Sequence, residues 1–361
     1  MWPVEQMTGH EGIHPSKAPE ADVSSGMRCL RMSRAALLHF ALFTSVMGLS
    51  GCAGSSPGAI SPLEFAPDAF VRELKLRVPD IPEALATSPY VLDEEIVDRA
   101  EAYLMQAPNG PPRVQALVDF LSEPIPVGLG LVYDWSATGG AALTLERGRG
   151  NCVSLAAVLV ALGRGMDWPI YFAQARTRRP QTQEFEDVTA LSDHMVVLIV
   201  PKTFKMAVDF TGLLDEVGHI RPINDLEAYA HMLNNISAQS LMSADQAPTD
   251  SQWKASVSGF KLVTQIDPKL GRAWNNLGIA LTRLAQFDEA REAYQRAVEL
   301  NTAFGSAERN LTMMETRLLG TKMLGDAAEQ SSLPEQAQAP GEPQGSLVAV
   351  GGPRRARPGE L

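Results

Sequence analysis

Apolar residues recur at helical intervals through residues 94–104 (Ile96, Val97, Ala100, Leu104) and again through 113–121 (Val114, Leu117, Val118, Leu121). That spacing lays one apolar stripe along each of two helices. Pro108, Asn109, Gly110, Pro111 and Pro112 break the pattern between them. Residues 140–165 hold the most apolar helical stretch of the chain. Strand-like runs follow at 170–175, 195–200 and 205–210. From about 224 to 319 the periodicity is purely helical. From 326 the chain turns rich in Gln, Pro, Gly and Ala, which predicts a disordered tail over 326–361. The pattern therefore predicts an α+β domain over 63–222, built on a buried helix and an antiparallel sheet, and a helical domain over 224–319.

Length agrees with this division, since 361 residues suit two domains better than one. The net charge of −11 gives a polyanion nothing to bind and argues against nucleic-acid recognition. Three cysteines are too few for a disulfide scaffold or a four-cysteine zinc site. His219 and His231 have no metal-ligand spacing, and Gly128-Leu129-Gly130 lacks the rest of a nucleotide fingerprint. No metal, cofactor or nucleotide is expected.

The first part of the chain reads as an address. Residues 27–34 are short and basic, and residues 35–48 form an apolar run too short to cross a bilayer but suited to a signal-peptide core. Leu49-Ser50-Gly51-Cys52 follows and resembles the lipobox of bacterial lipoproteins. The resemblance implies a signal peptide over 27–51, lipidation at Cys52, and a tether over 52–62. With no Asp after Cys52, it further implies the outer membrane, facing the periplasm. Two acyl chains hold a protein firmly where one does not. Residues 1–26 form an upstream extension, disordered or mis-assigned, with Met27 or Met32 as alternative starts.

Once Cys29 leaves with the signal peptide and Cys52 carries lipid, Cys152 is the remaining thiol, in an oxidising compartment. Gly148 and Gly150 permit a tight turn, after which Asn151 and Cys152 open the apolar helix. A cysteine there sits at the positive end of the helix dipole, where free amides favour a thiolate and can hold an oxyanion. A purely structural cysteine fits this segment equally well.

His194 begins one predicted strand and Asp209 lies in the next. If residues 201–204 form the turn, residue 200 faces 205 and residue 196 faces 209. His194 and Asp209 then share a face as diagonal neighbours, within reach of a hydrogen bond.

These pieces resemble the transglutaminase-like superfamily of papain-like thiol enzymes. The matching segments are Gly150-Asn151-Cys152 opening a long helix, Ala161-Leu162-Gly163-Arg164-Gly165-Met166-Asp167-Trp168-Pro169-Ile170 leading into a strand, Asp193-His194-Met195-Val196-Val197, and Val208-Asp209-Phe210. The resemblance covers a core over 110–212. It implies Cys152 as nucleophile, His194 as base and acid, and Asp209 as the group that orients it. Met195 and Val153 stand where many family members carry an aromatic residue. Asn151, Tyr133 and Trp135 are the candidates for lining the cleft or holding an oxyanion.

In the helical half, Trp274, Leu277, Gly278, Ala290, Tyr294 and Ala297 fall in the register of the tetratricopeptide repeat, whose period is about 34 residues. A preceding repeat ends at Asp267-Pro268, and a further helix at 306–319 is expected to cap the stack. Asn234, Asn275, Asn276 and Asn310 are candidates for hydrogen-bonding an extended peptide on a concave face, or else solvated helix surface. The chain thus reads as an envelope lipoprotein acting on amide bonds of a protein or peptide through a thioester, as a peptidase, amidase or acyl transferase. The alternative is an inactive scaffold that mediates protein–protein interactions.

Overall fold

The computed structural model describes residues 62–177, 182–185, 188–191, 194–211, 217–239, 241, 247–300 and 305–332. The upstream extension, the signal peptide, Cys52, the tether up to residue 61, and residues 333–361 of the expected tail lie outside the described residues. The chain divides into two compact units, residues 1–312 and 313–361.

Three helices come first: α1 (Pro67–Arg77), α2 (Glu94–Leu104) and α3 (Pro111–Ser122). The proline-rich break separates α2 from α3, and Pro111 and Pro112 open α3, where a missing N–H costs nothing. Strand β1 (Val132–Tyr133) pairs in parallel with β2 (Arg149–Gly150) around a short helix α4 (Ala141–Arg147). Helix α5 (Cys152–Gly165) follows and is buried without interruption from Cys152 to Gly163. A helix apolar on every side is stable only inside a core, and α5 is the centre of this one.

The main sheet contains β3 (Ile170–Thr177), β6 (His194–Ile199), β7 (Met206–Val208) and β8 (Val217–Pro222) in the order β7-β6-β3-β8, with antiparallel neighbours. One face, through Phe172, Met195, Val197 and Ile199, joins the core around α5. The other carries Ala173, Ala175 and Val196. Glycines let α5 approach its neighbours closely. A Cβ on Gly163 would lie 2.8 Å from Ile170 Cδ1, and one on Gly165 2.8 Å from Val97 Cγ1.

Strands β4 (Thr182–Phe185) and β5 (Val188–Leu191) form a separate hairpin. The hydrophobic pattern anticipated neither them nor β8. The sequence Thr182-Gln183-Glu184-Phe185 carries no apolar alternation, and β8 contains Gly218 and ends in Pro222, composition tolerated at a sheet edge.

The helical half runs through α6 (Asp225–Gln239), α7 (Asp250–Ile266), α8 (Gly271–Arg283), α9 (Phe287–Glu299) and α10 (Ser306–Ser332). Thr249 and Gln252 close a capping box at the start of α7. Small residues set the helix spacing. A Cβ on Gly278 would lie 2.6 Å from Tyr294 Cδ1, while Ala290, Ala293 and Ala297 of α9 are buried. Helix α10 continues to Ser332, past the start of the stretch expected to be disordered.

A buried ion pair ties α5 to α6. Arg164 donates from Nη1 to Asp225 Oδ2 (2.9 Å) and from Nη2 to Oδ1 (2.8 Å). Asp225 also accepts from the Phe65 N–H at 2.9 Å, and Glu64 lies 3.5 Å from Arg164 Nε. Among the described residues, no helix is long and apolar enough to cross a membrane.

Candidate functional site

The site begins at the turn into α5. Gly148 adopts φ 65°, the left-handed conformation that glycine takes without strain. Gly150 is small for a different reason: a Cβ there would lie 2.5 Å from Ser154 Cβ. The glycine pair therefore supplies one turn and one close approach. Asn151 caps α5, its Oδ1 accepting from the Ser154 N–H at 3.1 Å. Asn151 Nδ2 donates to Thr138 Oγ1 at 2.7 Å. The buried side chain of this cleft candidate is thus spent on holding the turn, and what the helix start offers outward is backbone amide and the Cys152 side chain.

Cys152, the first residue of α5, is free and 8% exposed. Its thiol lies close enough to the His194 ring to raise the ring's pKa. His194 opens β6, opposite Ala175 of β3. Val197, Leu198 and Ile199 of β6 face Val208, Ala207 and Met206 of β7, the register inferred from a turn at 201–204. Asp209 follows β7 directly, and its Oδ1 lies 2.6 Å from His194 Nε2. Both side chains are almost fully covered, at 7% and 2% exposure.

The electrostatics follow from this geometry. Burial alone would lower the pKa of His194, but its hydrogen bonds to Asp209 and Cys152, and their negative charge, outweigh it and carry the ring to about 10. Burial would raise Asp209. Its bond to the His194 ring, the ring's charge and the bonds from Thr211 reverse that and hold the carboxyl below its usual value. The carboxylate is therefore ionised and can only accept, so Nε2 carries a proton toward it, and below about pH 10 the ring as a whole is a cation.

Thr211 escaped sequence reasoning. Its N–H and Oγ1 both donate to Asp209 Oδ1 at 2.8 Å, and Oγ1 lies 3.2 Å from His194 Nε2. The signal was available as a Thr two residues after an Asp, a spacing at which the carboxylate captures the following backbone N–H.

Tyr133 stands opposite Gly150 in the β1–β2 pair, two residues before the thiol. Burial raises its pKa, and the negative charges of Cys152, Asp209 and Asp134 raise it further. Trp135 is 44% exposed. A cleft beside His194 is lined by Val153, Gln174 and Met195 on one side and by His231, Asn234 and Arg272 of the helical half on the other.

The four asparagines of the helical half meet one another. Asn276 Nδ2 donates to Asn234 Oδ1 (3.1 Å), joining α8 to α6, and Asn310 Nδ2 donates to Asn275 Oδ1 (2.9 Å), joining α10 to α8. Asn234, Asn275 and Asn310 are buried. Their amides therefore link α6 to α8 and α8 to α10, and Asn234 also borders the cleft beside His194. Among the described residues no group of three or more His, Cys, Asp or Glu is placed to hold a metal ion.

Residues 271–302 match the family model of the tetratricopeptide repeat. They comprise α8, α9 and the residues just after, so a repeat of this kind is present, with Gly278 against Tyr294 at its helix crossing. No curated protein and no solved structure matches the chain. Repeats of this kind generally mediate protein–protein interaction.

Proposed function

We propose that Cys152, His194 and Asp209 form a transglutaminase-like thiol site, in an envelope lipoprotein anchored through Cys52, that acts on amide bonds of a protein or peptide. The observation that carries this reading is a His194 ring bonded through Nε2 to a carboxylate at 2.6 Å, with the thiol of a helix N-terminus close enough to raise its pKa. Three residues far apart in the chain supply those groups, each in the position that nucleophilic thiol chemistry needs.

In the proposed reaction Cys152 has already given its proton to His194, which rests as an imidazolium. The thiolate attacks the amide carbonyl, and backbone amides at the start of α5 receive the oxyanion charge. The carbon–nitrogen bond breaks, the imidazolium gives its proton to the leaving amine, and a thioester remains on Cys152. Water or a second amine then attacks that thioester, and the sulfur leaves as thiolate. Asp209 keeps Nε2–H turned toward itself throughout. The helical half, which walls the cleft beside His194, presents the protein partner.

The second reading is a scaffold without chemistry. The repeat at 271–302 favours it, as a segment that matches a family of protein-binding repeats. Alkylation separates the two. In an enzyme, Cys152 reacts fast with iodoacetamide near neutral pH, and His194→Ala slows it on the order of a hundredfold. Slow labelling that is equal in both proteins would leave the scaffold. For the anchor, Cys52→Ser releases the protein from membranes, and unchanged fractionation would refute lipidation.

A further inference from the structure

The geometry points to Thr211 as a positioning residue that holds the His194 ring with Nε2–H on Asp209. This inference rests on the thiol-site reading above and concerns a residue outside the three that reading names.

A carboxylate beside an imidazole does not by itself fix the ring. Asp209 has two oxygens and a rotatable side chain, so the bond to Nε2 can be made, lost or shared. Thr211 removes that freedom. Its backbone N–H and its hydroxyl both donate, at 2.8 Å, to the same Oδ1 that faces His194. Three donors converge on one oxygen, which requires Asp209 to be ionised and holds that oxygen in place.

The hydroxyl acts a second time. With its only proton committed to Asp209, Oγ1 presents a lone pair toward Nε2, 3.2 Å away. A ring with a bare Nε2 would meet lone pairs on both Asp209 and Thr211. A ring with Nε2–H meets two acceptors. The arrangement therefore disfavours a bare Nε2 through two contacts, whether the ring is neutral or charged. Residues two apart in a tight bend can make these contacts only when the bend is held, and Thr211 N–H to Asp209 is the bond that holds it.

Other ionisable groups close on the ring from neighbouring elements. Cys152 comes from α5, Tyr133 from β1, and His231 and Arg272 line the adjoining cleft from α6 and α8. The Thr211 hydroxyl reaches both Asp209 Oδ1 and His194 Nε2.

The test compares Thr211→Val, which keeps the shape and loses the hydroxyl, with Thr211→Ser, which keeps the hydroxyl. In the full-length protein, iodoacetamide labelling is followed at the Cys152 peptide by mass spectrometry across pH 5 to 10. The expected result is that Thr211→Val narrows the pH range of fast labelling and slows it about tenfold near the edges, while Thr211→Ser stays within about twofold of wild type. A Thr211→Val profile that superimposes on wild type, or a Thr211→Ser profile equally damaged, would overturn the proposal. The ¹⁵N chemical shifts of the His194 ring give a readout that needs no reactivity. Recorded above about pH 10, where the ring is neutral, wild type and Thr211→Ser are expected to show Nε2–H, with mixed tautomers in Thr211→Val. If wild-type Cys152 labels slowly, the thiol-enzyme reading fails, and the nitrogen shifts still decide the role of Thr211.

Discussion

Arg164, near the end of α5, meets Asp225, the first residue of α6, through two parallel hydrogen bonds of 2.9 and 2.8 Å, with Asp225 only 1% exposed. The pair joins the helix that carries Cys152 to the helical half. It also leaves each partner dependent on the other, because a buried charge is tolerable only when matched. Arg164→Leu strands the Asp225 carboxylate and is expected to cost about 3–5 kcal/mol in urea unfolding. Arg164→Leu combined with Asp225→Asn should recover much of that loss. A single variant as stable as wild type would show that the pair contributes nothing.

Gly278 and Tyr294 set the helix crossing within the repeat. Gly278→Val forces side-chain atoms into the Tyr294 ring and is expected to lower stability by about 2 kcal/mol. Adding Tyr294→Leu makes room, so the double variant should be more stable than the sum of the two single losses. Strictly additive losses in denaturant titration would refute the close approach as the cause.

His194 and Asp209 make stability depend on pH in opposite directions. The His194 pKa rises from 6.5 to about 10 on folding. Its contribution is fully present below pH 6.5 and is lost as pH climbs toward 10. Asp209 is lowered from 3.8, so its contribution is present above that value and is lost as pH falls through the folded pKa. Thermal unfolding should therefore be highest between about pH 4 and 6.5, with Tm falling by roughly 5 °C or more toward pH 9. In His194→Phe the alkaline fall should flatten. An unchanged slope would mean that the ring is not the group responsible.

Asn151 caps α5 with one end of its amide and holds Thr138 with the other. Asn151→Ala loses both and should destabilise by about 1–2 kcal/mol. Asn151→Asp retains the cap acceptor and should recover part of the stability. It also brings a carboxylate to the turn beside Cys152, so iodoacetamide labelling is expected to slow even where folding is intact. Equal stability of Ala and Asn at this position, by calorimetry, would remove the cap from the account.

How much of this was legible beforehand follows from which forces act locally. The turn at Gly148, the cap at Asn151 and the start of α5 at Cys152 are written in adjacent residues. The meeting of His194 with Asp209 was legible because strand pairing has a period of two and the turn a fixed length, so face could be deduced without long-range information. Helices α8 and α9 were legible from small residues at fixed intervals. The role of Gly150 was not, because it depends on Ser154, one turn on, lying against it. Strands β4, β5 and β8 were missed, since hydrogen-bonded edges do not need alternating apolar side chains. The asparagines were read as peptide-binding candidates or as solvated helix surface because each is polar on its own. Only the packing of α6, α8 and α10 brings their amides into mutual contact.

The link between Val200 and Lys205 therefore works as a ruler. One extra residue in it would leave a ladder of backbone hydrogen bonds able to re-form, yet it would swing the Asp209 carboxylate to the opposite side of the sheet. An imidazole stripped of its anion would follow from an insertion that the fold itself hardly registers, so the length of this short connection, more than its composition, is what selection at the site would have to guard.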